Sequence, residues 1–410
     1  MKILLGVFIL IIGIGIFLFF AGANKIEIVA PVVLVPSETL EAVQQAENQK
    51  SNKPPARLAD IENQRPLTEP PKIIKAIYLT SWSAGNPLKI KYLIDLTKTT
   101  EINAVVIDIK DYSGYVAYDI QVPEVEKYQA KEIRIPRINR LIKQLHDEGI
   151  YVIARITIFQ DPRLEQARPN LAVKSKKTGG SWLDNKKLTW IDPAAEEAWH
   201  YNIAIARETA DRGFDELNFD YIRFPSDGDL NDMDFSFWDE KIPKSSVIGD
   251  FFKTLRQELT GIKISADLFG LATINQDDLG IGQVIENAYQ YFDYVSPMVY
   301  PSHYASGFLG YKNPALYPYE VVKYSMEAAF QRLKNYELEI KNSTSTKFLN
   351  SKFYILNSQL RPWLQDFDMG ADYNAEMIRK QIKATNDAAS STPELLNGFM
   401  LWNPSNIYQF

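Results

Sequence analysis

From Lys72 to the C-terminus, short apolar runs recur, separated by amphipathic stretches. The runs are Ala76–Thr80, Ala104–Ile109, Tyr151–Ile156, Glu216–Phe219, Lys263–Leu268, Tyr294–Val299, Phe353–Leu356 and Gly398–Trp402. Most lack alternation of polar and apolar positions, the pattern of parallel strands covered on both faces. Helical patterns lie between them. Ile138–Glu148 stops at Gly149 and Val247–Leu259 stops near Gly261, both C-terminal cap signals. Ala194–Asp211 follows Asp192-Pro193, which reads as an N-cap and a first-turn proline, and it stops near Gly213. Eight strands alternating with helices predict an α/β fold, a (β/α)8 TIM barrel with some long loops. An open doubly wound sheet is the alternative, but no glycine-rich phosphate loop follows the first strand.

The N-terminus has a different pattern. Ile3 to Ala23 is an uncharged apolar run behind Met1-Lys2, and a bilayer-spanning helix needs about 20 such residues. Ala21-Gly22-Ala23 also fits the cleavage site of a signal peptide, whose apolar core usually runs only ~7–15 residues. The length favours an uncleaved transmembrane signal anchor. Either reading places the remainder outside the cytoplasm, at the cell membrane or secreted. Residues 24–71 carry Pro31, Pro36, Pro54, Pro55, Pro66, Pro70 and Pro71 and no apolar stripe. They read as a Pro-rich flexible linker. The expected division is therefore 1–23 anchor or signal peptide, 24–71 linker and 72–410 barrel.

Composition narrows the chemistry. The chain has 410 residues, 46% of them hydrophobic, enough for a large core. Its net charge of −6 lacks the footprint of a nucleic-acid binder. With no cysteine, disulfides and thiolate sites are excluded. Three histidines, His146, His200 and His303, stand far apart without metal-ligand spacing. Asp227-Gly228-Asp229-Leu230-Asn231-Asp232 imitates the start of a calcium loop. It lacks the glycine at the sixth position and the glutamate at the twelfth, where Trp238 stands, so a solvated acidic loop is preferred. No cofactor or metal is expected, and no Gly-x-Ser-x-Gly elbow suggests an esterase.

In a barrel of parallel strands, side chains at the C-terminal strand ends face one mouth. The candidates there are Thr80 and Trp82, then Asp108, Lys110 and Asp111, then Arg155 and Thr157. Next come Asn218, Asp220, Tyr221 and Arg223, then Asp267, then Tyr300, Ser302 and His303. Arg361, Trp363, Gln365 and Asp366, then Trp402 and Asn403, complete the set. Glycoside hydrolysis needs two carboxyl groups, one donating a proton and one acting as nucleophile or base. Asp220 and Asp267 end consecutive strands and share parity with Asn218 and Ser265, so both point inward. Arg155 and Arg223, with Tyr221, would orient Asp220. Trp82, Trp363 and Trp402, with Tyr221 and Tyr300, would offer flat apolar faces to sugar rings. Each of these residues also has a structural reading. On that reading the carboxylates only pair with neighbouring arginines, Asp108 pairs with Lys110, and Asp111 caps the turn Tyr112-Ser113-Gly114. The long connections Gln160–Ile191, Ser226–Ser245 and Ser302–Tyr319 carry Trp182, Trp190, Trp238, Tyr304 and Tyr311 and are expected to wall a groove for a polymer.

Six motifs in order sharpen this reading. Val106-Ile107-Asp108-Ile109-Lys110-Asp111, Ile153-Ala154-Arg155-Ile156 and Phe219-Asp220-Tyr221-Ile222-Arg223-Phe224-Pro225 are three of them. Ser265-Ala266-Asp267-Leu268-Phe269-Gly270, Ser296-Pro297-Met298-Val299-Tyr300-Pro301-Ser302-His303-Tyr304 and Arg361-Pro362-Trp363-Leu364-Gln365-Asp366-Phe367 are the others. Together they resemble a bacterial family of glycoside hydrolase domains with little established biochemistry. The resemblance implies a TIM barrel akin to retaining glycosidases of the α-amylase/α-galactosidase-like group. There the nucleophile is an Asp ending the fourth strand, which maps onto Asp220. The acid/base position varies, and Asp267 and Asp366 compete for it. The resemblance supplies a reaction class and no substrate. From the strand-end residues themselves the expected partner is an envelope or environmental polysaccharide, with sugar contacts at Asp108, Lys110, Asp111, Arg155, Tyr221, Arg223, Tyr300, His303, Arg361, Trp363, Gln365, Asp366 and Trp402. A monomer is expected. The competing reading is a non-catalytic glycan-binding or envelope scaffold on the same barrel. A metal-dependent deacetylase is not supported by these histidines.

Overall fold

The computed structural model describes residues 59–342 and 357–409. The expected anchor and the candidate strand Phe353–Leu356 lie outside them. Among the described residues, no helix is long and apolar enough to cross a membrane. The strands are β1 (Ile74–Leu79), β2 (Ala104–Lys110), β3 (Tyr151–Thr157), β4 (Glu216–Asp220), β5 (Ile264–Phe269) and β6 (Tyr294–Met298). They continue with β7 in two pieces, Gln359–Leu360 and Trp363–Gln365, and β8 (Gly398–Trp402). β7 breaks at Arg361-Pro362, where proline has no N–H to give the ladder. All pairings are parallel and run in sequence order, and β1 closes on β8 with Ile74 opposite Gly398. The result is an eight-stranded closed barrel with helices outside, consistent with a TIM barrel.

Two hydrophobic clusters divide by strand parity. Ile77, Leu79, Val105, Ile107, Val152 and Ala154 face the helices. Ile74, Ala76, Tyr78, Ala104, Val106, Tyr151, Ile153, Trp363 and Met400 fill the barrel interior. The same inward parity on β4 and β5 carries Glu216, Asn218, Asp220, Ser265 and Asp267, so that wall is polar. Low in the barrel, Glu216 pairs with Arg361, both fully buried. High in the barrel, the ladder sets Asp108 opposite Arg155 and Arg155 opposite Asn218.

The principal helices include α1 (Pro87–Thr99), α2 (Ile138–His146), α3 (Glu196–Asp211) and α4 (Lys244–Glu258). Gly149, Gly213 and Gly261, which follow three of these, have φ of +71°, +101° and +83°, the left-handed conformation glycine tolerates best. Asp192 does not cap α3. Its Oδ1 accepts from the Ala194 N–H at 3.0 Å, and its Oδ2 accepts from the N–H groups of Phe237 and Trp238 at 2.7 and 3.1 Å. It ties one long loop to another, and the helix starts four residues later, at Glu196 behind the N-cap Ala195.

The end of the expected linker is packed against the barrel. The Asp60 carboxylate accepts from the N–H groups of Asn139 and Arg140 at the start of α2. The Gln64 N–H donates to the Arg212 carbonyl at 3.1 Å, and the Leu67 N–H to Asp215 Oδ1 at 2.6 Å.

Candidate functional site

The mouth is organised by one cation. Arg155, at the fifth position of β3, is buried and meets three carboxyl groups. Nη1 bonds Asp108 Oδ1 at 2.5 Å, Nη2 bonds Asp220 Oδ2, and Nε lies 3.8 Å from Asp267 Oδ2. Three buried carboxylates around one guanidinium would leave a net charge of −2, so protons must stay on part of the set. Burial first, and then the charge of Asp220, pushes the Asp267 carboxyl well above the usual range, against the pull of Arg155. Asn218 Nδ2 and Trp363 Nε1 each donate to its Oδ1 at 2.8 Å. Its Oδ2 is buried without a hydrogen-bond partner.

Asp220 has a different setting. Besides Arg155, its Oδ1 accepts the N–H of Tyr221 at 2.6 Å. Tyr221 has φ of +53°, a conformation that costs a bulky residue roughly 1–3 kcal/mol. That turn aims its N–H back at Asp220. Asp108 also accepts from the Tyr78 hydroxyl, and burial pushes it up to about 6, with Arg155 opposing and Asp111 adding. Above this group, the Trp402 ring stacks on Tyr78 at 3.9 Å and lies 5.0 Å from the Arg155 guanidinium.

The structure therefore brings together Asp108, Arg155, Asp220, Asp267, Trp402 and Tyr300. Burial, then Asp267 and Asp220, raise the Tyr300 phenol well above its ordinary value. His303 packs edge-on against Tyr300 at 5.2 Å and stays exposed at the rim. Crowding by protein atoms, then the nearby Lys186 cation, lowers its pKa to about 4.

Other candidates belong elsewhere. A register shift after Asp108 turns Lys110 away. Fully buried, it pairs with Asp161 at 2.7 Å and donates to the Thr157 carbonyl at 2.7 Å. Asp111 bonds the Ser113 N–H at 3.0 Å and Arg134 at 2.5 Å, so it serves its own turn. Arg361 is held by Glu216 and Asn397 and stacks over Tyr294, deep in the barrel. Trp363 is buried and serves Asp267, not a sugar face. Gln365 spends its amide on Ser302 N–H and the Phe367 carbonyl. Asp366 is held by Asn403 and the Gln409 N–H, and burial pushes it up to about 7. Its backbone N–H donates to the Trp402 carbonyl at 3.0 Å, and the charge acting on its carboxyl is Asp368. Trp82 is 57% exposed, on the helix after β1, and lies over Arg134. Thr80 caps that short helix.

Arg223 does not touch Asp220. Its Nη1 donates to the Phe224 carbonyl and Ser226 Oγ at 3.1 and 3.0 Å. The long loops are also more internal than expected. Trp182 and Trp190 are buried and donate to the Asp229 carbonyl and to Asp184 Oδ2. Tyr304 is buried against Ser325. The loops join through an antiparallel pair, Lys174–Ser175 with Met233–Asp234. In the acidic loop, Asp229 pairs with Lys177, and Asp232 accepts from Ser175 Oγ and the Lys177 N–H. Tyr78 was not expected in the mouth. Its signal was inward parity on β1, which it shares with Ile74 and Ala76.

The profile of a protein family described as "Putative glycosyl hydrolase domain" matches residues 76–408. The chain belongs to this family. No curated protein matches it. Among solved structures, a hypothetical protein from Ruminiclostridium thermocellum is 40% identical over 50% of this chain and 98% of that chain, with a TM-score of 0.44. An α-galactosidase from Thermus thermophilus is 11% identical over 84% of this chain and 60% of its own, with a TM-score of 0.46. The glycoside hydrolase domain of PelA from Pseudomonas aeruginosa is 12% identical over 82% of this chain and 96% of its own, with a TM-score of 0.42. The glycosyl hydrolase match takes in all of the barrel strands but the first two residues of β1, and every member of the Arg155 cluster.

Proposed function

We propose that this glycosyl hydrolase domain cleaves a glycosidic bond in a cell-envelope or environmental polysaccharide, using Asp220 and Asp267. The supporting observation is Arg155 shared between two carboxyl groups in unequal surroundings. Asp220 receives only donors and acts as nucleophile, or as base on water. Asp267 is kept protonated by burial and by the Asp220 charge, and its Oδ2 proton has no protein acceptor, so it serves as the acid. Trp402, Tyr300 and His303 line the approach for the sugar. Residues 1–23 tether the domain outside the cytoplasm, as their apolar length suggests.

The test is product release from a panel of envelope and exopolysaccharide glycans by the chain, with Asp220→Asn and Asp267→Asn beside it. A loss of about 10³-fold or more in both supports the pair, given what nucleophilic and acid–base groups contribute. Loss in the first alone moves the acid to Asp366.

One observation favours a second reading. Asp267 is 1% exposed, as a carboxyl serving only to hold a barrel wall would be. On that reading the domain binds glycan without cleaving it, and Asp220→Asn behaves as the wild type in every assay.

A further inference from the structure

Arg223 differs from two other buried arginines of the barrel. Arg155 and Arg361 each meet carboxylates. Arg223 is 8% exposed, and among the described residues it forms no ion pair within 4 Å. Its guanidinium lies against aromatic faces, 4.8 Å from Trp190, 5.3 Å from Tyr221 and 4.6 Å from Phe269. Desolvation lowers its pKa, with Tyr221, Asp220, Asp227 and Asp184 opposing at longer range. None of those carboxylates is in contact with the guanidinium, and each accepts hydrogen bonds from other groups. Asp184 accepts from Gln160 and Trp190, Asp227 from the Asn185 N–H, and Asp220 from Arg155 and Tyr221.

The guanidinium is used on one side only. Nη1 holds the Phe224 carbonyl and Ser226. Among the described residues Nε and Nη2 have no acceptor, and they are not among the fully buried unpartnered atoms, so this edge meets accessible space. Two parallel N–H groups on a pre-oriented edge match the two oxygens of a carboxylate. Arg223 follows Asp220 by three residues, at the same mouth. Lys186, exposed and in no ion pair among the described residues, stands on the loop that ends at Trp190 and acts on His303 across the rim. A desolvated cation with no carboxylate in contact is costly unless a ligand supplies one.

We infer that the Nε/Nη2 edge of Arg223 binds the carboxylate of a uronic acid unit in the substrate. This rests on the glycosidase reading for its site and names the substrate class. Neutral glycans would leave the cation uncompensated.

The experiment measures binding of uronic acid oligosaccharides and their carboxyl-reduced counterparts to the full-length Asp220→Asn chain in detergent, by calorimetry. The expected result is a preference of about 10-fold or more for the acidic set, the scale of a charge-assisted pair. Adding Arg223→Gln should abolish the preference, and adding Arg223→Lys should keep part of it. Raising the salt should reduce it in the Asp220→Asn chain itself, which requires no change at Arg223. Equal affinity for both sets, or binding of neither, overturns the inference. Tighter binding of sulfated oligosaccharides than of the uronic acid set overturns the carboxylate assignment. A preference that survives Arg223→Gln in a folded protein moves the contact elsewhere and overturns it too. The two readings separate in the wild-type chain. Acid-selective binding with no hydrolysis of any glycan overturns the enzymatic reading alone, and hydrolysis of neutral glycans with no acid preference overturns this inference alone.

Discussion

Asp267 and Trp363 make the most direct test at the level of single residues. The indole N–H donates to Asp267 Oδ1, and that bond favours the ionised carboxyl. Trp363→Phe removes it while keeping an aromatic ring. The Asp267 pKa should then rise further, and the alkaline limb of the kcat–pH profile should move to higher pH. If Asp267 is not the acid, that limb stays where it is. Asp366 offers a stability test. Its pKa is raised from 3.8 to about 7 by burial. The folded state therefore holds a proton that the unfolded state releases between those values. Stability associated with Asp366 is present below about pH 4 and is lost as the pH rises through about 7. Asp366→Asn should raise Tm at pH 8 and change it little at pH 4, as read by thermal unfolding at both.

At the level of elements, the end of β2 shows why inward parity alone misleads. Strand alternation would send Lys110 inward after Asp108. The register shift between them sends it instead to Asp161, which also caps the helix Pro162–Ala167. Both side chains of this pair are fully buried. Asp161→Asn leaves a buried cation unpaired and should cost about 3–5 kcal/mol in denaturant unfolding. The double change Lys110→Met with Asp161→Leu should cost clearly less than that, because no buried charge remains. Seven of the strands were legible in the sequence, since buried parallel strands are mostly continuous apolar runs. β7 lies within 359–365, beyond the expected Phe353–Leu356, because its two short pieces are broken by Arg361-Pro362 and carry no such run. The place of Lys110 was not legible either, because nothing local marks a register shift. Trp182 and Trp190 were misplaced for a related reason. Loops of this length can wall a groove or make a small core of their own, and the choice depends on the contacts between two loops distant in sequence.

At the level of the whole molecule, the barrel base is strapped by residues that read as linker. Asp60, Gln64 and Leu67 bond α2, the end of α3 and Asp215. Gly213 permits the approach, since a Cβ there would stand 2.5 Å from the Gln64 backbone. Removal of residues 1–72 should lower Tm by several degrees relative to removal of 1–58, at unchanged net mechanism in the mouth. Equal Tm values would show that the strap adds nothing. Proline content marked this stretch as irregular, which it is. Irregular backbone becomes part of a fold wherever partners satisfy its N–H and C=O groups, and composition does not report partners.

The sequence by itself determined the barrel, the placement of Asp220 and Asp267 on adjacent inward-facing strand ends, and the family. These follow from local periodicity, strand parity and ordered motifs. Only the tertiary structure decided which cation serves which acid. Arg155, Arg223, Arg361 and Lys110 all lie in or just after strands and look alike along the chain. In three dimensions one bridges Asp108, Asp220 and Asp267, two neutralise Glu216 and Asp161 inside the protein, and Arg223 keeps an edge open at the mouth. Coulomb energy and desolvation depend on distances of a few ångströms between strands far apart in sequence, and no local pattern encodes those distances.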